Sequence, residues 1–148
     1  IKEQFDLDMD NIPGSGAAGG LGTALMVFLN GTLKSGIETV LDLVDFDEHL
    51  KDVDIVVTGE GATDWQSVFG KVMQGVGVHC QKHHIPAVAI VGSMGSGAED
   101  IFDYGIESII TTVNNIMPLS DALNHAEELY LGAARRMFRL LKAGMQMR

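Results

Sequence analysis

The densest chemistry in the sequence lies between Thr58 and Lys71, where Thr58-Gly59-Glu60-Gly61-Ala62-Thr63-Asp64-Trp65-Gln66-Ser67-Val68-Phe69-Gly70-Lys71 runs without interruption. Two carboxylates, an amide, hydroxyls and one ammonium fall within the twelve positions 60 to 71. These are the parts that phosphoryl transfer needs: a carboxylate can hold Mg²⁺ or take the proton of an acceptor hydroxyl, and a lysine can neutralise the migrating phosphoryl group. The segment is not a Walker A loop, because eight residues separate Gly61 from Gly70-Lys71 and no Ser or Thr follows the lysine. A solvated loop with a lone ion pair is the bland alternative from spacing alone.

A second candidate is Gly14-Ser15-Gly16-Ala17-Ala18-Gly19-Gly20-Leu21-Gly22. Its first six residues satisfy G-x-G-x-x-G, the dinucleotide fingerprint, in which glycines let the backbone approach a pyrophosphate at a helix N-terminus. That fingerprint must follow a hydrophobic strand. Here it follows Asp6-Leu7-Asp8-Met9-Asp10-Asn11-Ile12-Pro13, whose alternating acids would put carboxylates into a central strand. What remains is a set of N–H groups at a helix start that could cradle a phosphate or carboxylate, with close glycine-mediated packing as the alternative. His79 and His83 have the i, i+4 spacing of two metal-binding imidazoles, but further ligands at zinc-like spacing are missing, which favours a polar helix face with Cys80 buried. Neither Gly14-Ser15-Gly16 nor Gly95-Ser96-Gly97 has the spacing of a nucleophile elbow.

The elements that must position these groups follow from hydrophobic periodicity. The glycine-rich turn opens a helix through Ala24–Leu29 that Asn30-Gly31 stops, and Ile37, Val40, Leu41 and Val44 predict a second helix over 36–44. Val53 to Thr58 reads as a buried strand halted by Gly59, which places the polar segment in a loop past the strand's carboxyl end, where open α/β sheets bind ligands. A helix over 73–84, a strand over 86–91, a short helix near 97–103, a strand near 107–113 and one long helix from Ser120 to about Ala143 follow. Strand and helix alternate after residue 50, so the class is α/β: a Rossmann-like or flavodoxin-like parallel sheet with helices on both faces. In the last helix acids come early and Arg135, Arg136, Arg139 and Lys142 late, an order that complements the helix dipole and gives the basic cluster no function of its own.

Composition narrows the partners. The 148 residues carry ten Lys+Arg against twenty Asp+Glu, a net charge of −10, so nucleic acid and anionic membranes are poor partners and any anionic ligand must be held locally. One cysteine excludes an intrachain disulfide and no apolar run is long enough for a membrane span, which suits a soluble, reduced, cytoplasmic setting. The start at Ile1 lacks an initiator Met and reads as mid-chain, as in a piece of a longer protein.

Three segments together resemble the bacterial glycerate kinases: Pro13 to Gly22; Val57 to Gly61 with Asp64, Gln66, Ser67, Gly70 and Lys71; and Pro86 to Gly92 followed by Gly105-Ile106 and the final helix. The resemblance spans almost the whole chain and corresponds to the C-terminal part of the family's enzymes, less than half of each. It implies a Rossmann-like domain interrupted by a second, inserted α/β domain, with ATP, Mg²⁺ and glycerate meeting in the cleft and 2- or 3-phosphoglycerate as product. Residues 1–50 would be the return from the inserted domain and 51–148 the last part of the Rossmann-like domain, with a boundary as late as about 70. The resemblance implies catalytic roles for Glu60, Asp64 and Lys71: Asp64 for hydroxyl activation or Mg²⁺, Glu60 for Mg²⁺ or for orienting Lys71, and Lys71 for the phosphoryl or carboxylate charge. It implies substrate or phosphate binding by Gly14, Ser15, Gly16, Gly19, Gly20, Gly59, Gly61, Gln66, Ser67 and Gly70.

Two departures from the family pattern stand out: Ala62 occupies the place of a basic residue, and Met73 that of a proline. The 148 residues by themselves are expected to be inactive without the rest of their own chain, and a homo-oligomer is left open. An NAD-dependent oxidoreductase module built on Gly14 to Gly19 and a non-catalytic binding relic are the alternatives.

Overall fold

The computed structural model describes residues 1–68 and 71–147. They form two compact units, Ile1–Ser35 and a larger one from Gly36 onward. The first holds α1 (Lys2–Phe5) and α2 (Ala17–Leu29). Phe5 and Phe28 meet edge to face with centroids 5.4 Å apart, an arrangement that suits the ring quadrupoles. Inside α2, Ala18, Gly19 and Gly20 all have positive φ, so regular helix begins only beyond Gly20. At its far end Asn30 adopts the left-handed conformation and Gly31 N–H donates to the Leu25 carbonyl at 3.0 Å, the stop expected from Asn30-Gly31.

The second unit is built on three parallel strands, β1 (Val56–Thr63), β2 (Ala87–Met94) and β3 (Ile106–Thr111), in the order β1-β2-β3. Around them lie α3 (Gly36–Leu43), α4 (Phe46–His49), α5 (Val72–Lys82), α6 (Leu119–Asn124) and α7 (Ala126–Met145), with 3-10 turns at Leu50–Asp52, Trp65–Val68 and Ala98–Tyr104. Both faces of the central strand are covered, which is why its run from Ala87 to Val91 is continuously apolar rather than alternating. Ala87, Ala89 and Val91 pack with Met73, Cys80, Leu41 and Ile101 on one face. Val88 and Ile90 pack with Ala133 and Met137 of α7 on the other. The α/β class and the covered parallel sheet read from the sequence are the structure's own.

Three boundaries differ from expectation. Gly59 does not halt β1, and the strand continues through Gly59-Glu60-Gly61 to Thr63, so the first half of the polar segment is strand rather than loop. The cause is close pairing: a Cβ at Gly59 would lie 2.1 Å from the Ile90 carbonyl oxygen, and one at Gly92 would lie 2.2 Å from that of Gly61. The glycines admit the neighbouring backbone where any side chain would collide. β2 likewise runs on through Gly92 and Ser93 to Met94. The single long helix is broken at His125, which has φ −107° and ψ 20° between α6 and α7.

Leu129, Ala133 and Met137 of α7 are buried, whereas Leu119, Leu123, Tyr130 and Leu140 of α6 and α7 are exposed. The fully buried stripe is narrow, one residue per turn, with Ala134 and Leu141 packed beside it partly buried. One late arginine has a partner after all: Arg136 Nη2 donates to the Thr111 carbonyl at 2.9 Å and so ties α7 to the end of β3.

Candidate active site

β1 sorts its residues by register. Glu60 pairs with Val91 and Thr58 with Ala89, so both side chains stand on the face that β2 turns toward α5. Lys71 is the residue before α5, with extended backbone, and its side chain is exposed. Glu60 and Lys71 line one cavity of about 540 Å³, whose other walls are Gly36, Ile37, Val40 and Leu41 from α3 and Val72 and Val76 from α5. No ion pair joins the two among the described residues, and the walls around them are apolar. A carboxylate and an ammonium beside apolar walls are poised to act on a charged ligand rather than saturated by each other. Across the strand a second cavity of about 500 Å³ runs along Val57 to Gly61, closed by Ile90, Gly92, Thr112 and Tyr130.

Asp64 comes directly after β1 and opens the turn Trp65–Val68. Its carboxylate accepts the Gln66 N–H at 2.9 Å, its own N–H donates to Ser67 Oγ at 3.2 Å, and its carbonyl accepts the Ser67 N–H at 3.0 Å. The turn is gripped from the next strand: Gly95 N–H donates to the Thr63 carbonyl at 2.7 Å, and Trp65 N–H to that of Ser96 at 3.0 Å. The segment Gly95–Gly97 just past β2 therefore fixes the acid without contributing a functional side chain. Its place after the strand adjacent to β1 was the signal available for that role, since ligand crevices form where neighbouring strands end together.

The predicted residues thus separate. Glu60 and Lys71 share a cavity, Asp64 heads the turn and Gln66 lies exposed beside it. Ser67, expected to hydrogen-bond substrate, is 0% exposed and takes the Thr63 hydroxyl at 2.9 Å together with the Asp64 N–H, so it shapes the turn from within. Gly59 is held for packing, whereas a Cβ at Gly61 would meet nothing within 4 Å. Gly70 lies outside the described residues.

In the first unit the glycines also divide. Gly14 has φ +85° and packs on Leu33, and a Cβ at Gly22 would come 2.8 Å from the Gly14 carbonyl oxygen, so these two serve the turn's own packing. Gly16, Gly19 and Gly20 face open space, and Gly19 and Gly20 have positive φ. Ser15 is internally committed, its carbonyl accepting both the Thr23 N–H and the Thr23 hydroxyl. Ser15, Gly16 and Gly20 border a cavity of about 590 Å³ that also exposes Lys2, Glu3, Asp8 and Asp10. Asp8 is held below the usual carboxylate range by its contact with Lys2 and by the Asp10 N–H. An anion at this turn meets three acids and one ammonium already paired, a setting less favourable than the glycines alone imply.

The residues before Gly14 form a short helix and turns, not a strand, so the dinucleotide fingerprint lacks the context it requires. Both ring nitrogens of His79 face carboxylates, Nδ1 that of Asp47 and Nε2 that of Glu38. Among the described residues no three of His, Cys, Asp and Glu are arranged to hold a metal. Cys80 is buried as expected, and burial, helped by the charge of Asp47, pushes its thiol up to about 11, which leaves it inert.

The comparison with known proteins agrees with the motifs: the model of the glycerate kinase family matches residues 1–142. The chain belongs to the glycerate kinase family. It is 42% identical to a glycerate kinase from Halalkalibacterium halodurans, over 93% of this chain and 36% of that protein. It is 38% identical to the glycerate 2-kinase of Escherichia coli K12, over 99% of this chain and 38% of that one. A solved structure from Salmonella typhimurium LT2, designated a glycerate kinase 2, superposes with a TM-score of 0.71 at 35% identity and covers 98% of this chain and 37% of its own. The chain thus spans little more than a third of these relatives. No helix among the described residues is long and apolar enough to cross a membrane.

Proposed function

We propose that the intact protein transfers the γ-phosphoryl group of ATP to a hydroxyl of glycerate, and that this chain supplies the acid, base and charge-neutralising groups. The observation that carries the reading is the shared cavity of Glu60 and Lys71 beside the carboxyl half of β1. The acceptor oxygen bonds to the γ-phosphorus as the bond to the ADP oxygen breaks, and the hydroxyl proton passes to a carboxylate. Asp64 suits the proton acceptor: among the described residues Gln66 N–H engages its Oδ1 and none engages the second oxygen. Lys71 suits the phosphoryl or carboxylate charge, and the apolar walls beside it set no competing charge against that attraction.

Mg²⁺ fits the donor set. Glu60 and Asp64 offer hard oxygens but no all-protein cage, and this ion is ordinarily held by one or two carboxylates plus phosphate oxygens. When bound it would neutralise charge on the phosphates. Ala62, exposed opposite Ser93 where the family resemblance leads one to expect a basic residue, leaves Lys71 as the cation of this segment.

The test is ATP- and glycerate-dependent turnover by the intact protein, with the product read by phosphorus NMR to separate 2- from 3-phosphoglycerate. Lys71→Ala and Asp64→Ala are expected to lower kcat by about a hundredfold or more. Unchanged turnover in both variants would end the reading. The place of Ala62 favours a second reading, a binding relic without catalysis, and calorimetric binding of glycerate and an ATP analogue without turnover would select it.

A further inference from the structure

His79 sits where α3, α4 and α5 meet. Its Nδ1 is 2.5 Å from Asp47 Oδ1 on α4, and its Nε2 is 3.1 Å from Glu38 Oε2 on α3. Phe46, next to Asp47, packs edge-on against the imidazole. Asp47 is also met by Lys82 Nζ at 3.0 Å and by His83 Nε2 at 3.1 Å, the latter without hydrogen-bond geometry. Ionised carboxylates accept hydrogen bonds and do not donate them, whereas a neutral imidazole has one donor and one acceptor nitrogen. Only the imidazolium satisfies both of these carboxylates.

We propose that His79 is a protonation-dependent clamp, which as imidazolium ties α3 and α4 to α5 and on losing its proton lets go of α3. The bond to Asp47 survives deprotonation because Nδ1 can keep its hydrogen. The other nitrogen then turns a lone pair toward Glu38, and attraction becomes repulsion. The consequence reaches the candidate site through the backbone: α3 carries Gly36, Ile37, Val40 and Leu41, one wall of the cavity whose opposite wall begins at Lys71. His79 is therefore a positioning residue, 16% exposed at the side chain and remote in sequence from the groups it arranges. Its contact with Asp47, with Glu38 adding to it, raises it above the ordinary imidazole value against the opposing effect of burial. The clamp's contribution is thus complete below the unfolded value, about 6.5, and is lost as pH rises through the folded one.

The clamp stands independently of the proposed phosphoryl transfer, and its test needs no activity. In the intact protein with labelled histidine, NMR should show His79 titrating above the ordinary imidazole value. Protection factors of the α3 amides, corrected for intrinsic exchange, should fall severalfold across that same titration. In Glu38→Gln the His79 titration should move down and the pH dependence of α3 should shrink, and His79→Gln should abolish that dependence over the same range. A His79 titration at or below the ordinary value, or α3 protection indifferent to it, overturns the clamp. So does a Glu38→Gln protein in which His79 titrates as before.

Discussion

Thr63 and Ser67 meet hydroxyl to hydroxyl at 2.9 Å, and neither side chain is exposed. The pair closes the turn that begins at Asp64, because Ser67 Oγ also accepts the Asp64 N–H. Ser67→Ala would leave that N–H and the Thr63 hydroxyl buried without their partner, at a cost of about 1–3 kcal/mol. Urea denaturation of the variant should show this loss. Ser67→Cys, which keeps a weak acceptor, should lose less.

Gly92 and Gly61 face one another across β1 and β2, but they are not equivalent. A methyl group at Gly92 collides with the Gly61 carbonyl oxygen, while one at Gly61 enters open space. Gly92→Ala is expected to destabilise by about 1–3 kcal/mol, as overpacking does, and Gly61→Ala by clearly less. Thermal unfolding of the two variants side by side checks the order, and a reversed order would mean that the strands do not approach as described.

Asp47 gives the protein an acid-side pH dependence. Contact with His79 first, then with Lys82 and His83, holds its carboxyl well below the usual carboxylate range. A depressed carboxyl contributes stability above its unfolded value, about 3.8, and loses it as pH falls toward the folded one. Because deprotonation of His79 keeps its hydrogen bond to Asp47 but removes the charge from it, the stability gap between the parent protein and Asp47→Asn should be greatest between about pH 4 and pH 6.5 and shrink on either side. Denaturation midpoints measured across pH 3 to 9 would reveal that window, and a gap constant with pH would contradict it.

Ala62→Arg restores a cation beside Glu60 at an exposed strand position paired with Ser93. Folding should be unaffected, since surface substitutions of this kind stay within about 0.5 kcal/mol. If the phosphoryl-transfer reading is right, KM for glycerate should fall more than kcat changes, because an added cation binds ground and transition states alike. Steady-state kinetics of the intact protein decides it.

The amino-acid sequence determined the element order and the chemistry available. Continuous β-branched runs flanked by helical periodicity can be buried only as a parallel sheet with covered faces, and a cluster of acids, amide and ammonium around Glu60 to Lys71 is visible without coordinates. Tertiary structure decided which of those groups meet. Gly59 looked like a strand end because glycine lacks a stabilising side chain, yet close parallel pairing with Ile90 demands that lack. Glu60 and Lys71 came together, and Ser67 was turned inward, through register and turn geometry. The link from His79 to Glu38 spans 41 positions and the one to Asp47 spans 32, distances over which local pattern carries no information. Local periodicity reports which side of an element is apolar, whereas the meeting of polar side chains depends on how separate elements dock, and that depends on packing across the whole unit.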